Sequence, residues 1–294
     1  MPEPLRVRRV AKAQADLGES PVWDEQRQIL YFVDISGGRI HRLDAGGTLA
    51  TLYRSAARIG ALALTDSGNL IFTEDTAVAI LDSRSLAPVQ RSAALAGPAS
   101  WRFNDGACDP QGRFVTGLMD EGHSPDSGKL LRYDRQLGSS LLHQPLGLPN
   151  GLVWSEDGRQ LFFVDSVARR IYQAPYAAGE GGLGPVSVFA ETPAHLGRPD
   201  GLAIDREGGI WVCQFNGGCL LHYDRHGELT RELAMPVPRP TSCCFGGPDL
   251  RTLFITSARF AMSAEELARY PESGDLFAID YLVPGCPRHR FRQG

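Results

Sequence analysis

The sequence lacks the features of several large classes of protein. None of its apolar runs approaches the roughly 18 residues that a membrane span requires, and its opening MPEPLRVRRVAKAQADLGES has no apolar middle of the kind found in signal peptides. A net charge of −4 offers no basic surface to nucleic acid. We therefore expect a cytoplasmic protein that binds neither membranes nor nucleic acid.

Common catalytic motifs and paired cysteines are missing as well. The absence of H-E-x-x-H, G-x-S-x-G and G-x-x-x-x-G-K-[ST] argues against a zinc protease, a serine hydrolase and a nucleotide enzyme. The 6 cysteines show no C-x-x-C spacing, and several lie inside apolar segments. We expect buried free thiols rather than disulfides or a zinc knot.

The chain also has no long stretch with helical periodicity, and it consists instead of short apolar segments between Gly-rich turns. In the clearest example, GLAID, IWVCQF, CLLHYD and TRELAM are separated by the turns REGG, NGG and RHGE. This pattern predicts four antiparallel strands. A single helical turn is expected at SAEELARY, near the C-terminus.

Six segments repeat at intervals of roughly 41 to 50 residues, which is the period of a propeller blade. They are ESPVWD, ALALTD, NDGACD, NGLVWS, DGLAID and TSCCFG. We predict an all-β fold in which residues 1–294 form a single six-bladed β-propeller domain with four antiparallel strands per blade. The N-terminal RVRRVAK should supply the outer strand of the last blade and close the ring. The Gly-rich AAGEGGLGP should be an outer hairpin, since it is too short to separate domains.

The repeats share a register that places polar residues on one ring. Their equivalent positions are Glu19, Ala61, Asn104, Asn150, Asp200 and Thr241. Equivalent residues of successive blades surround one axis, so two carboxylates and two amides are expected to converge there. Such oxygen ligands suit a hard divalent cation at the mouth of the propeller.

Simpler explanations exist for these residues. Asn104 and Asn150 stand before short polar or Gly steps, where Asn often occupies a turn. For Asn104, direct coordination and a hydrogen bond to water or substrate remain equally open. Arg102 lies two residues before a ring position, and we expect it to line the mouth and bind ligand oxygens. Asp165 and Ser166 end a strand near the pocket, where they either support the ligands or shape a hairpin.

The chain resembles the senescence marker protein, regucalcin and gluconolactonase family of sugar-lactone hydrolases over essentially its whole length. The matching motifs are ESPVWD with ILYFVDI, RFNDGACDPQGRF, LPNGLVWSEDG with FFVDS, RPDGLAIDREGGIWV, PTSCCFGGPDLRTLFITSAR and PESGDLF. The resemblance implies a six-bladed propeller with metal ligands at Glu19, Asn150 and Asp200. It also implies substrate contacts at Arg102 and Asn104, and a role for Asp200 as proton donor and acceptor.

One family feature differs in this sequence. A carboxylate often follows the G-x-M stretch of blade three, but this chain has GLMDEGHSPDSG, with Gly122 close to where some relatives place an acid. Asp120 or Glu121 is expected to contact substrate in its place. The following loop, GHSPDSG, is expected to form part of a lid.

The expected activity is metal-dependent hydrolysis of an aldonolactone, such as glucono-, xylono-, arabinono- or galactonolactone, to the aldonic acid. One divalent cation is expected, and an all-oxygen site accepts Ca, Mg, Mn, Zn or Fe(II). Two other functions remain open, a phosphotriesterase-like metal hydrolase and a calcium-binding protein without turnover. The sequence leaves the oligomeric state, the preferred lactone and the cellular metal undetermined.

Overall fold

Short strands and tight turns form six antiparallel sheets in the computed structural model, which describes residues 5–122 and 126–293. The first strands of neighbouring sheets contact one another in sequence order, and the first blade meets the last. These strands therefore surround the central axis, and the later strands of each sheet lie further out. The predicted six-bladed propeller with four antiparallel strands per blade is confirmed.

The first half of the chain supplies blades 1 to 3 and one strand of the last blade, β1 (Arg8–Ala11). Blade 1 has β2 (Gly18–Asp24), β3 (Ile29–Asp34), β4 (Arg39–Leu43) and β5 (Leu49–Arg54), and blade 2 has β6 (Leu62–Leu64), β7 (Leu70–Glu74), β8 (Ala77–Leu81) and β9 (Pro88–Arg91). Blade 3 has β10 (Trp101–Cys108), β11 (Phe114–Asp120), β12 (Gly128–Tyr133) and β13 (Ser139–Leu146).

The second half continues in the same way. Blade 4 has β14 (Pro149–Trp154), β15 (Gln160–Asp165), β16 (Arg170–Ala177), the two-residue β17 (Gly182–Leu183) and β18 (Ser187–Glu191). Blade 5 has β19 (Arg198–Ile204), β20 (Ile210–Phe215), β21 (Cys219–Tyr223) and β22 (Leu229–Ala234). Blade 6 has β23 (Pro240–Gly246), β24 (Thr252–Ser257) and β25 (Leu276–Asp280). A 3₁₀ turn covers Ala194–Leu196, and helix α1 covers Ala264–Arg269.

The N-terminal strand closes the propeller. Strand β1 pairs antiparallel with β25, with Arg8 opposite Ala278, and so becomes the outer strand of blade 6. Joining the first and last parts of the chain in one sheet leaves no open seam between blades 1 and 6. The predicted closure is confirmed, as is the outer hairpin at the Gly-rich segment, which is the turn between β16 and β17.

Helix α1 lies at the segment where a helical turn was predicted. Ser263 caps α1 by accepting a hydrogen bond from the N–H of Glu266, while the Glu266 side chain accepts one from the Ser263 N–H. This capping box stabilises a helix of 6 residues that sequence propensity alone would leave marginal. Within the described part of the chain, no helix is long and apolar enough to cross a membrane.

The core lies between adjacent sheets, where their apolar faces pack together. Trp211, Phe72 and Phe163 are fully buried in this way. All six cysteines are free, and only Cys286 is partly exposed, so the predicted buried thiols are confirmed for the other five. Asp109 and Asp205 accept backbone N–H groups in their own hairpin turns, so both stabilise those turns.

The C-terminal segment 284–293 crosses the end of the propeller where the first strands finish. Its backbone and side chains bond to every blade. The contacts are Arg290 with Asp24 in blade 1, Phe291 with Leu64 in blade 2, Arg292 with Gly112 in blade 3, Arg288 with Leu152 in blade 4, Cys286 with Ile204 in blade 5 and Gly285 with Leu250 in blade 6. We call this segment the C-terminal strap. Phe291 is fully buried in the core between blades 2 and 3.

Alanine in place of Phe291 is expected to lower the free energy of unfolding by about 3–5 kcal/mol, because it leaves a cavity among fully buried side chains. Equilibrium unfolding in urea measures the change. Leu282→Ala, just before the strap, is the matched control, since Leu282 is 76% exposed. A loss below about 1 kcal/mol for Phe291→Ala would mean that the strap adds little to the stability of the blades.

Candidate metal and substrate site

Local irregularities in the first strands aim the ring residues toward the axis. Strand pairing shifts register between Glu19 and Val22 in blade 1 and between Asn150 and Leu152 in blade 4. The same shift occurs at the corresponding point of blades 3, 5 and 6. A β-bulge bends the strand and turns a side chain away from regular alternation. Gly151 follows Asn150 and has a φ of +31°. A Cβ on Gly151 would lie only 2.6 Å from the backbone oxygen of Asp200.

The predicted ring residues meet at one cavity. Glu19, Asn104, Asn150 and Asp200 are all buried, and all line a cavity of about 120 Å³. The other two ring positions contribute no ligand there. Ala61 is buried in the core, and the Thr241 hydroxyl bonds to Gly18 O and to Thr256. The structure thus brings together the four oxygen-bearing residues that the repeat register singled out.

A chain of hydrogen bonds fixes the two amides. Arg102 donates to Asn104 Oδ1 at 2.7 Å, and Asn104 Nδ2 donates to Asn150 Oδ1 at 2.7 Å. Asn150 Nδ2 donates to Ser166 Oγ at 3.0 Å, and Ser166 donates to Pro199 O. The Asn150 oxygen keeps a second lone pair for a cation, and the hydrogen bond from Asn104 holds this oxygen in place. Ser166 therefore supports a ring residue. Asp165 accepts two backbone N–H groups of its own turn and two of the loop before β14.

Three carboxyl groups share this buried space. Burial raises the pKa of Glu19 well above its ordinary value, and the charges of Asp200 and Asp105 raise it further. Burial likewise raises the pKa of Asp200 well above its ordinary value, with Asp105 again adding to the effect. Arg102 acts in the opposite direction on both groups. Acids packed together away from water need protons or a cation among them.

Sequence reasoning missed Asp105 as a member of this cluster. The residue after a ring position should point away from the axis in a regular strand. The register shift between Phe103 and Gly106 removes that alternation and leaves Asp105 buried near Glu19 and Asp200. Burial raises the pKa of Asp105, whereas the charge of Arg288 in the C-terminal strap lowers it. The N-D-G sequence is a turn signal that, placed inside a strand, could have indicated the bulge.

The donor set fits a divalent cation. Asp200 Oδ1 is buried and has no hydrogen-bond partner among the described residues, so this oxygen is free to coordinate. Two carboxylates and an amide oxygen are ligands that hard cations prefer. No group of three or more His, Cys, Asp or Glu side chains in residues 5–122 and 126–293 is arranged to hold a metal ion. The third ligand would instead be the amide oxygen of Asn150.

The mouth of the cavity has an apolar rim and two arginines. Leu17, Met119, Leu148, Phe215 and Phe260 form apolar walls, and Arg102 and Arg198 line the cavity among them. The repeat register had indicated Arg102 but not Arg198. An apolar wall lowers the local dielectric constant and so strengthens interactions between charges inside the cavity.

The two acids of blade 3 that were expected to contact substrate lie outside the cavity lining. Glu121 pairs with Arg102 at 3.4 Å and also with Arg58, so it reaches the site through an arginine. Asp120 Oδ1 accepts a hydrogen bond from the Gly122 N–H at 3.2 Å. The loop that was expected to form a lid includes residues 123–125, which lie outside the described residues.

Comparisons with known proteins find a matching family. The family described as "SMP-30/Gluconolactonase/LRE-like region" matches residues 17–259. A 6-deoxy-6-sulfogluconolactonase of Pseudomonas putida is 36% identical over 284 residues, covering 96% of this chain and 97% of that protein. Regucalcin of Danio rerio is 35% identical over 293 residues, covering 98% of each chain.

A solved structure shares the fold. A calcium-binding protein, regucalcin, from Agrobacterium tumefaciens superimposes with a TM-score of 0.90. The match covers 99% of this chain and 98% of that chain, with 24% sequence identity. At this identity the likeness establishes the six-bladed architecture.

Proposed function

This chain belongs to the SMP-30/gluconolactonase/LRE-like family and is a lactone hydrolase, and we propose that it converts an aldonolactone to the open aldonic acid with one bound divalent cation. One observation carries the proposal. Glu19, Asn150 and Asp200 meet at one cavity, and Asp200 Oδ1 has no hydrogen-bond partner among the described residues. A relative that acts on a sulfogluconolactone supports a sugar lactone as the substrate class.

The cation would be held by Glu19, Asn150 and Asp200. When bound, it supplies Lewis acidity toward the lactone carbonyl and offsets the buried carboxylates. With that charge offset, Asp200 is ionised at neutral pH and can accept a proton.

Asp200 accordingly has the catalytic role in the proposed reaction. Water attacks the lactone carbonyl carbon and loses one proton to the Asp200 carboxylate. The bond between the carbonyl carbon and the ring oxygen breaks, and Asp200 returns the proton to that oxygen, which leaves as a hydroxyl of the product. The carboxylate is regenerated, and the product is the aldonic acid.

Arg102 and Asn104 position the substrate. Arg102 is buried, lines the cavity and donates a hydrogen bond to Asn104. A fixed guanidinium can hold hydroxyl or carbonyl oxygens so that the reacting carbon faces water and Asp200. Glu121, which also pairs with Arg58, holds Arg102 from outside the cavity.

The direct test is a substrate screen with metal-free protein reloaded with one cation at a time. We expect turnover of pentono- or hexonolactones with at least one of Ca, Mg, Mn, Zn and Fe(II), and little turnover of phosphotriesters. Faster hydrolysis of a phosphotriester than of every lactone would replace the proposal with a phosphotriesterase. Tight metal binding without turnover of either class would identify a calcium-binding protein without enzymatic activity.

Alanine in place of Arg102 is expected to lower kcat/KM for the best lactone by about tenfold to a hundredfold, because charge-assisted hydrogen bonds to substrate are lost. Metal affinity, measured by calorimetry, should change much less, since Arg102 donates hydrogen bonds and offers no ligand atom. Arg170→Ala removes an exposed arginine of blade 4 that pairs with Glu191, and it serves as the control. Unchanged lactone turnover in Arg102→Ala would place this residue outside the substrate site.

A further inference from the structure

The ring positions Glu19, Ala61, Asn104, Asn150, Asp200 and Thr241 form what we call the metal ring. A second ring of side chains lies two residues before it, at or near the starts of the first strands. Its members are Leu17, Ile59, Arg102, Leu148, Arg198 and Arg239. Because strand residues two apart share a face, this outer ring lies one step closer to the mouth. Leu17, Arg102, Leu148 and Arg198 line the same cavity as the metal ring. Arginine thus occupies the outer ring in blades 3, 5 and 6.

Two of the three outer-ring arginines already have partners. Arg102 bonds to Asn104 and pairs with Glu121 at 3.4 Å. Arg239 donates to Asn216 Oδ1 and Phe260 O, and its guanidinium lies 3.9 Å from Glu266. Each of these cations is therefore paired with a carboxylate.

Arg198 differs from both. It is exposed at the mouth, and its guanidinium has no hydrogen bond or ion pair with any of the described residues. The negative charges of Glu19 and Asp200 would be offset by the divalent cation. They would therefore not balance the positive charge of Arg198. A free guanidinium above an apolar wall is suited to a planar or tetrahedral oxyanion.

The spacing fits a substituent far from the reacting carbonyl. Arg198 lies two residue steps from Asp200 of the metal ring, which corresponds to roughly 7 Å along the strand. A lactone with its carbonyl at the metal ring would direct its terminal carbon outward, toward Arg198. A neutral hydroxyl there would leave the arginine without a counter-charge.

We propose that the preferred substrate is an aldonolactone carrying an anionic group on its terminal carbon, recognised by Arg198. The group is a sulfonate, a phosphate ester or a carboxylate, which share the charged oxygens that a guanidinium binds. This inference rests on the proposed lactonase activity and adds its substrate class.

The test compares gluconolactone with 6-deoxy-6-sulfogluconolactone, gluconolactone 6-phosphate and glucarolactone, using the metal-loaded enzyme. We expect kcat/KM to be at least about tenfold higher for one or more anionic lactones than for gluconolactone, the usual scale of one hydrogen bond to a charged group. Arg198→Gln should lower this anionic-to-neutral ratio about tenfold, whereas Arg198→Lys should retain part of it. Raising the salt concentration should also lower the ratio, because the pair is exposed. The three anionic substrates identify which oxyanion fits.

Arg206→Gln is the matched control. Arg206 lies on the same blade at the opposite end, where it pairs with Glu156, and its replacement should leave the ratio unchanged. A wild-type ratio near one for every anionic lactone, or an equal fall for neutral and anionic lactones in Arg198→Gln, would overturn the inference while the lactonase activity stands.

If no lactone is turned over, the proposed function fails and binding decides the inference separately. Calorimetry then compares glucose with glucose 6-phosphate on the metal-loaded wild type and on Arg198→Gln. Tighter binding of the phosphate that disappears in the variant would sustain recognition by Arg198. Equal affinities of the wild type for glucose and glucose 6-phosphate would rule out recognition by Arg198.

Discussion

Asparagine in place of Asp200 is expected to lower kcat by about a hundredfold or more at saturating metal, because an amide cannot accept the proton that the attacking water releases. The amide keeps an oxygen for coordination, so the variant should still bind the cation when enough is supplied. Steady-state kinetics over a range of metal concentrations measure both effects. The activity loss should persist when the metal concentration is raised further.

The control for this change is Asp16→Asn, the same replacement at an exposed aspartate just before β2. It should leave kcat unaltered. Recovery of nearly full kcat in Asp200→Asn with excess metal would show that Asp200 acts as a ligand alone. The proton would then have to be accepted by another group of the site.

Glutamine in place of Glu19 is expected to weaken metal binding by about a hundredfold, because a unit charge a few ångströms from a dication contributes several kcal/mol even at an effective dielectric constant near 20. The fold should survive, since the Glu19 side chain accepts a hydrogen bond from the N–H of the neighbouring Ser20 and otherwise meets Asp200 at the cavity. Calorimetry measures the affinity. Glu25→Gln, at an exposed position just after β2, is the matched control.

The stability of metal-free Glu19→Gln should depend on pH differently from that of the metal-free wild type. In the metal-free protein the pKa values of Glu19 and Asp200 are raised in the folded state, so their protonation stabilises the fold at acidic pH. That contribution is lost as pH rises through the raised folded-state pKa values. Glu19→Gln removes one of these buried charges, so the metal-free variant should have a higher Tm than the metal-free wild type at neutral pH. If the variant and the wild type have equal metal affinities and equal metal-free Tm values, Glu19 does not belong to the acid cluster.

The repeats predicted most of the architecture because their information is local. Alternating apolar segments and Gly-rich turns specify short antiparallel strands, and their repetition specifies the number of blades. Closure by RVRRVAK followed from the missing outer strand of blade 6. The ring residues Glu19, Asn104, Asn150 and Asp200 followed from the shared register, since the same place in each blade faces the same axis.

The shared register of the six repeats did not reveal bulges or long-range contacts. A one-residue shift reverses the direction of the next side chain, so Asp105 reaches the acid cluster although regular alternation would point it away. The roles of Asn104 and Ser166 depend on which partner each amide or hydroxyl finds in a neighbouring blade, Asn150 for Asn104 and Pro199 O for Ser166. No sequence spacing encodes those partners.

The sequence by itself determined the fold, the blade number and the residues that surround the axis, because each follows from short-range periodicity. Only the tertiary structure decided how those residues share their hydrogen bonds and charges. It left Asp200 Oδ1 without a partner among the described residues, paired Arg102 and Arg239 with carboxylates, and left Arg198 unpaired at the mouth within that same part of the chain. It also placed Arg288 of the strap beneath Asp105. Burial and pairing depend on distances between blades that are far apart in the chain, and these distances exist only after the propeller has closed.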